Sequence, residues 1–197
     1  MTGFDPYLLI DKRFQKNRWH VAYEVSSSAG GMMTPGAKWA DCIAIGRDHG
    51  ETEHVVHGIE IKSCRGDVLN EMRNPDKAAP FLGLCNYWWM LCPPKTTDLA
   101  LSLPPQWGIA TQGTDERFEI IRPAPFNADA KLTPIFVYSL LSATLRERHE
   151  EARRLRTDEM VRLVASDENL FHEAEEIRER LDARERKFCE QMWGPDA

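Results

Sequence analysis

No stretch of the 197 residues is apolar for long enough to cross a bilayer, and the N-terminus lacks a charged segment followed by an apolar one. A membrane-spanning or secreted chain is set aside on that ground, and a cytoplasmic protein is the expectation. Cysteine is present but unorganised. The five residues Cys42, Cys64, Cys85, Cys92 and Cys189 form no C-x-x-C pair, and the six histidines complete no zinc-ligand spacing. Neither a disulfide framework nor a structural zinc site is expected. A surplus of positive charge is missing too. Lys and Arg number 25 against 31 Asp and Glu, a net charge of -6. That excludes a general polyanion sponge but leaves room for one locally basic face. There is no internal repeat.

What remains is an ordinary globular composition, 42% hydrophobic and 28% charged, enough for one domain with a real core and an appendage. Residues 5–16 predict a first helix, with Asp5 as N-cap and Pro6 in the first helical position. Residues 18–25, 38–46 and 53–62 predict three strands, joined by the Gly- and Ser-rich segment "SSSAGGMMTPG" and the turn "RDHGET", most simply as a meander. Residues 66–85 are helical in pattern but interrupted by Pro75 and Pro80. "NYWWMLCPP" (86–94) is apolar throughout, as a strand buried on both faces must be, so Trp88 and Trp89 belong to the core. Two short strands follow, in "LSLPPQWGIATQ" and "ERFEIIRP", with Trp107 as a packing residue. From Thr133-Pro134 the chain is helical, and Thr157 and Ser166 are candidate restarts that would make two or three helices.

The chemistry is concentrated in "HGIEIKSCRGD" (57–67). Strand alternation puts Glu60 and Lys62 on one face, with Ile59 and Ile61 on the other. Asp41 lies on the strand the hairpin brings alongside, and it interrupts the apolar run "CIAI". A carboxylate there costs free energy unless it is paired or metal-bound. Two such carboxylates on adjacent strands offer hard oxygen ligands to Mg²⁺. A neighbouring lysine would orient or deprotonate a water and neutralise charge on phosphorus.

The order strand, Asp, hairpin, Glu-x-Lys, helix, strand resembles the PD-(D/E)xK nuclease superfamily, and more narrowly its MmcB-like DNA-repair and phage proteins. The likeness is carried by "YEV", "WADCIAIG", "HGIEIKSCRGDVLNEMRNPDKA", "LCNYWWMLCPP" and "LPPQWGIA". It implies an α/β fold, a restriction-endonuclease-like mixed sheet flanked by helices over residues 1–132, followed by a helical extension over 133–197. It also implies a metal-dependent DNA nuclease using Mg²⁺ or Mn²⁺, in repair, recombination or phage DNA metabolism. Asp41, Glu60 and Lys62 take the catalytic positions. The carbonyl of Ile61 is a further metal ligand, and Glu24 takes the position of an upstream glutamate that completes the metal site. Arg65, Asp67, Pro75 and Lys77 match other family positions. Ala40 stands in place of a proline, Lys38 and Trp39 in place of arginines, Cys64 in place of a serine and Asn86 in place of an aspartate.

Each of these residues also has a plainer reading. The same core serves proteins that bind DNA or a protein partner without cutting. Glu24 alternates as a solvated edge residue would. Arg65 and Lys77 suit phosphate contacts or solvated helix ends, and Lys12, Lys16 and Arg18 suit a DNA backbone or the solvated side of the first helix. His20 and His57 lie near the site, and an unbroken strand would put His57 opposite Glu60 unless Gly58 makes a bulge. In the extension, Leu163, Leu170, Ile177, Leu181 and Phe188 recur at sevens and fours. That spacing suits a cover for the sheet, a helical hairpin, or a homodimer or protein-partner contact.

Overall fold

The structure is a computed structural model that describes residues 3–28, 37–47, 54–166 and Ala183, with side chains in the last helix described as far as Glu159. Six strands, β1 (Trp19–Ser26), β2 (Trp39–Gly46), β3 (Val56–Ile61), β4 (Tyr87–Leu91), β5 (Trp107–Gln112) and β6 (Phe118–Arg122), form one sheet in chain order. The first three make the expected antiparallel meander; β4 and β5 then run parallel to β3, and β6 returns antiparallel. The protein is thus α/β, with a mixed sheet flanked by helices.

Each face of the sheet has its own core. On one, Ile43, Trp88, Met90 and Ile109 pack against α2 (Arg65–Arg73), α3 (Ala79–Leu82), α4 (Thr97–Ala100) and the start of α5 (Pro134–Ser166). On the other, Cys42, Ile59, Trp89 and Leu91 pack under α1 (Pro6–Arg13) through Leu9, Ile10 and Phe14. Neighbours such as Trp88 and Trp89 therefore bury on opposite sides, as an apolar central strand requires. Glu60 and Lys62 share the α2 side and Ile59 and Ile61 the α1 side, as their alternation predicts.

Local signals account for most element ends. Asp5 accepts a hydrogen bond from the Leu8 N–H at 3.0 Å, capping α1. That helix stops at Arg13, because Phe14 is drawn into the core and the chain then turns, with the N–H groups of Arg18 and Trp19 bonding the Gln15 carbonyl. Lys16 thus lies beyond the helix and shares no helical face with Lys12. Pro75 and Pro80 split the next helical stretch into α2, a 3₁₀ turn at Pro75–Ala78 and α3. At α5 the Thr133 hydroxyl accepts from the Phe136 N–H at 3.2 Å, the expected cap.

The C-terminal part departs from expectation. Thr157 restarts nothing: α5 runs unbroken through it to Ser166, and its hydroxyl donates back to the Arg153 carbonyl at 3.0 Å. The chain divides into compact units Met1–Leu145 and Arg146–Ala197. The division falls inside α5, because Phe136, Leu140 and Ala143 belong to the sheet's core. Loop 29–36, turn 48–53 and the apolar spacing from Leu163 to Phe188 lie outside the described residues or side chains. Among the described residues no helix is long and apolar enough to cross a membrane.

Candidate functional site

The ladder between β2 and β3 runs from Ile45↔Val56 to Cys42↔Ile59 and then stops. At the next position the Asp41 side chain replaces a backbone partner, its Oδ2 accepting the Ile61 N–H at 2.6 Å. That substitution brings Asp41 beside Glu60 on the α2 face. Lys62 binds Glu60 Oε1 at 2.5 Å and, at 3.0 Å, Glu71 Oε2 from α2. Glu71 is buried, 3% exposed. It escapes a sequence reading because its neighbours Asn70, Met72 and Arg73 look like an ordinary amphipathic helix. The available signal is its three-residue spacing from Val68, which sets both on the buried side of α2.

Three carboxylates around one ammonium leave an excess of negative charge in a largely dehydrated place. Burial, then the negative charge of Asp41, push the Glu60 carboxyl up to about 7 against the pull of Lys62. Burial also raises the Asp41 carboxyl, opposed by the Ile61 N–H and Lys62 and reinforced by Glu71 and Glu24. For Lys62, burial works against the charge, but Glu60 and Glu71 outweigh it and hold the amine above its ordinary range. Lys62 is thus an ammonium at neutral pH.

Glu24 lies between the pairs Tyr23↔Cys42 and Val25↔Ala40, across from Asp41. It is exposed and its backbone is left-handed, φ 51°, a conformation that costs a non-glycine residue on the order of 1 kcal/mol. Ile61 is partly buried between the two site residues, with its N–H given to Asp41. Lys77 lines a cleft of about 220 Å³ together with Lys38, Trp39, Glu60 and Glu71. Arg65 is exposed at the first position of α2.

Other candidates are not brought to this group. Lys12 and Arg18 line a separate cleft of about 860 Å³ with Trp19 and Phe118, residues of the α1-side core, while Lys12 donates to the Glu116 carbonyl. Lys16 is exposed beyond α1, and its carbonyl accepts from Arg47. Gly58 pairs regularly with Ile43 and Trp88, so it makes no bulge and His57 stays opposite Glu60. There His57 accepts the Trp89 indole N–H at 3.0 Å and stacks on Tyr87; burial drives its pKa down to about 3. His20 meets the Thr144 hydroxyl at 2.9 Å. Asn86, the substituted aspartate, is a structural tie, accepting from the Val56 N–H and donating to the Asn127 carbonyl.

Among the described residues no three His, Cys, Asp or Glu side chains gather as ligands for one ion. Mg²⁺ asks for less, one or two carboxylates and several waters. Among the described residues Asp41 gives one oxygen to the Ile61 N–H and Glu60 one to Lys62, and burial raises both carboxyls. The donor set fits a hard divalent cation.

The fold and site thus define an α/β protein with a partly buried Asp–Glu–Lys–Glu group at the end of the β2–β3 ladder. No protein-family model and no curated protein matches the chain. A solved structure titled "SPO1766 protein of unknown function from Silicibacter pomeroyi" is similar over 77% of this chain and 88% of its own, with 18% identity and a TM-score of 0.51. The likeness is one of fold.

Proposed function

We propose that this protein is a metal-dependent deoxyribonuclease with a restriction-endonuclease-like core of the PD-(D/E)xK kind, acting in the cytoplasm in DNA repair, recombination or phage DNA metabolism. The observation that carries it is the Asp41–Glu60–Lys62 group at the point where β2 and β3 part. Mg²⁺ or Mn²⁺, held by Asp41, Glu60, the Ile61 carbonyl and Glu24, would supply Lewis acidity and a water of lowered pKa. Water adds to phosphorus and gives up one proton to solvent, one P–O ester bond breaks, and the leaving oxygen takes one proton from solvent, so that one water is consumed. Lys62 is fixed between Glu60 and Glu71 and acts as an ammonium, orienting the water and neutralising charge on the phosphoryl oxygens. Lys77 and Arg65 meet neighbouring phosphates.

A second reading, a silent nuclease-fold module that holds DNA or a protein partner, is favoured by one observation. Lys62 already supplies Glu60 and Glu71 with a cation. Cleavage of labelled single-stranded, duplex and flap DNA with Mg²⁺ or Mn²⁺ separates the two. Nuclease action predicts cutting that Asp41→Ala and Lys62→Ala each reduce at least about 100-fold, and that Glu71→Gln, which loosens Lys62, reduces about 10- to 100-fold. Equal activity in all four proteins would mean a contaminant and would remove the proposal. Binding without cutting would leave the silent module.

A further inference from the structure

Five tryptophans belong to the sheet's strands; Trp19 and Trp39 are the two that are only partly buried, and of these Trp39 is the one on the face of Asp41 and Glu60. Trp88, Trp89 and Trp107 are at most 5% exposed. Strand alternation sets Trp39 on the same face as Asp41, two residues along β2. Its ring lines the 220 Å³ cleft that also holds Glu60 and Glu71, with the exposed ammonium groups of Lys38 and Lys77 beside it. Trp88 lines the floor of the same cleft. A partly exposed indole and two cations next to the carboxylates match one nucleotide, the base on the ring and its flanking phosphates on the lysines. In a duplex both faces of each base are covered by stacking, so only an unpaired nucleotide offers a face to Trp39.

We propose that Trp39 is a base-stacking residue, and that the substrate class of the Asp41–Glu60–Lys62 site is single-stranded DNA or the unpaired part of a flap or frayed end. This rests on the nuclease reading for its chemistry, but its test reads binding alone. Full-length protein is titrated with fluorescent phosphorothioate-linked oligonucleotides, which resist cleavage, as a single strand, as a duplex, and as a single strand that is abasic throughout. Wild type should bind the single strand more tightly than the duplex. Trp39→Ala should weaken single-strand binding roughly 5- to 100-fold while moving the duplex little. Trp39→Phe should restore part of the loss, and wild type and Trp39→Ala should converge on the abasic strand, a pattern that lost packing alone would not give. Thermal melts check that the variants fold. Unchanged single-strand affinity in Trp39→Ala overturns the inference even if wild type cleaves DNA. Trp39-dependent binding without cleavage supports it while removing the nuclease reading. Equal losses on all three oligonucleotides, or no binding by wild type, also overturn it.

Discussion

Glu60 and His57 are three residues apart on opposite faces of β3, and burial pushes their ionisations in different directions. Glu60 has its carboxyl raised from 4.5 to about 7. Between those values the folded chain keeps a proton that the unfolded chain has released, so stability falls as pH rises through this window. The full effect is on the order of 3 kcal/mol, and Asp41, also raised, adds to it in the same direction. His57 is lowered from 6.5 to about 3. There the unfolded ring takes a proton the folded one refuses, and stability falls as pH drops from 6.5 towards 3. The two slopes oppose each other between 4.5 and 6.5, so metal-free protein should melt highest in that interval. Glu60→Gln removes the penalty. In the absence of divalent cations at pH 8 it should melt above wild type, although it should not cut DNA. Added Mg²⁺ should raise the wild-type melting temperature and leave Glu60→Gln unmoved, since a cation stabilises only the state that binds it. Melts of both proteins with chelator and with Mg²⁺ check this, and a wild type no less stable at pH 8 than at pH 5.5 would contradict it.

At the scale of elements, β3 depends on a glycine. A Cβ on Gly58 would run into the six-membered ring of Trp88 and crowd Cys85 Sγ. Trp88 has little room to yield, being stacked on Phe81 and edge-on to Trp107. Gly58→Ala should therefore cost about 1–3 kcal/mol or more, read as a lower urea midpoint. Gly83→Ala, where a Cβ meets nothing within 4 Å and the backbone is already right-handed helical, should be neutral or slightly stabilising. The contrast also separates what was legible in the sequence from what was not. Period-two alternation and turn residues located β1 to β3, and the odd polar residues in apolar strands pointed to Asp41, Glu60 and Lys62. Those signals are local. The end of α1 at Arg13 depends on where Phe14 buries, and Thr157, a good cap by type, sits inside α5 with its hydroxyl turned back on the Arg153 carbonyl. Glu71 was illegible for the same reason, since only the packing of α2 on β3 gives it Lys62 as a partner. The separation of Lys12 and Arg18 from the carboxylates likewise needs the sheet between them, which no spacing encodes.

For the whole molecule the expected boundary at residue 132 and the observed division after Leu145 lead to different experiments. The segment between them supplies Phe136, Leu140 and Ala143 to the core on the α2 side. It also supplies a tie to β1, Thr144 to His20 at 2.9 Å, and one to the segment just after it, Ser139 to the Ser28 carbonyl at 3.0 Å. Losing a buried Phe or Leu costs about 2–5 kcal/mol each, against a total stability on the order of 5–15 kcal/mol for a domain. A chain ending at Leu132 should therefore be unfolded or lack cooperative melting. A chain ending at Leu145 keeps both cores and all of Asp41, Glu60, Lys62 and Glu71. It should unfold in one transition, gain stability from Mg²⁺ as the full chain does, and lose that gain in Glu60→Gln. Calorimetry of the two truncations decides the matter. Equal cooperativity in both would show that α5 is dispensable to the sheet, and failure of the longer one would show that residues beyond Leu145 hold the first unit together.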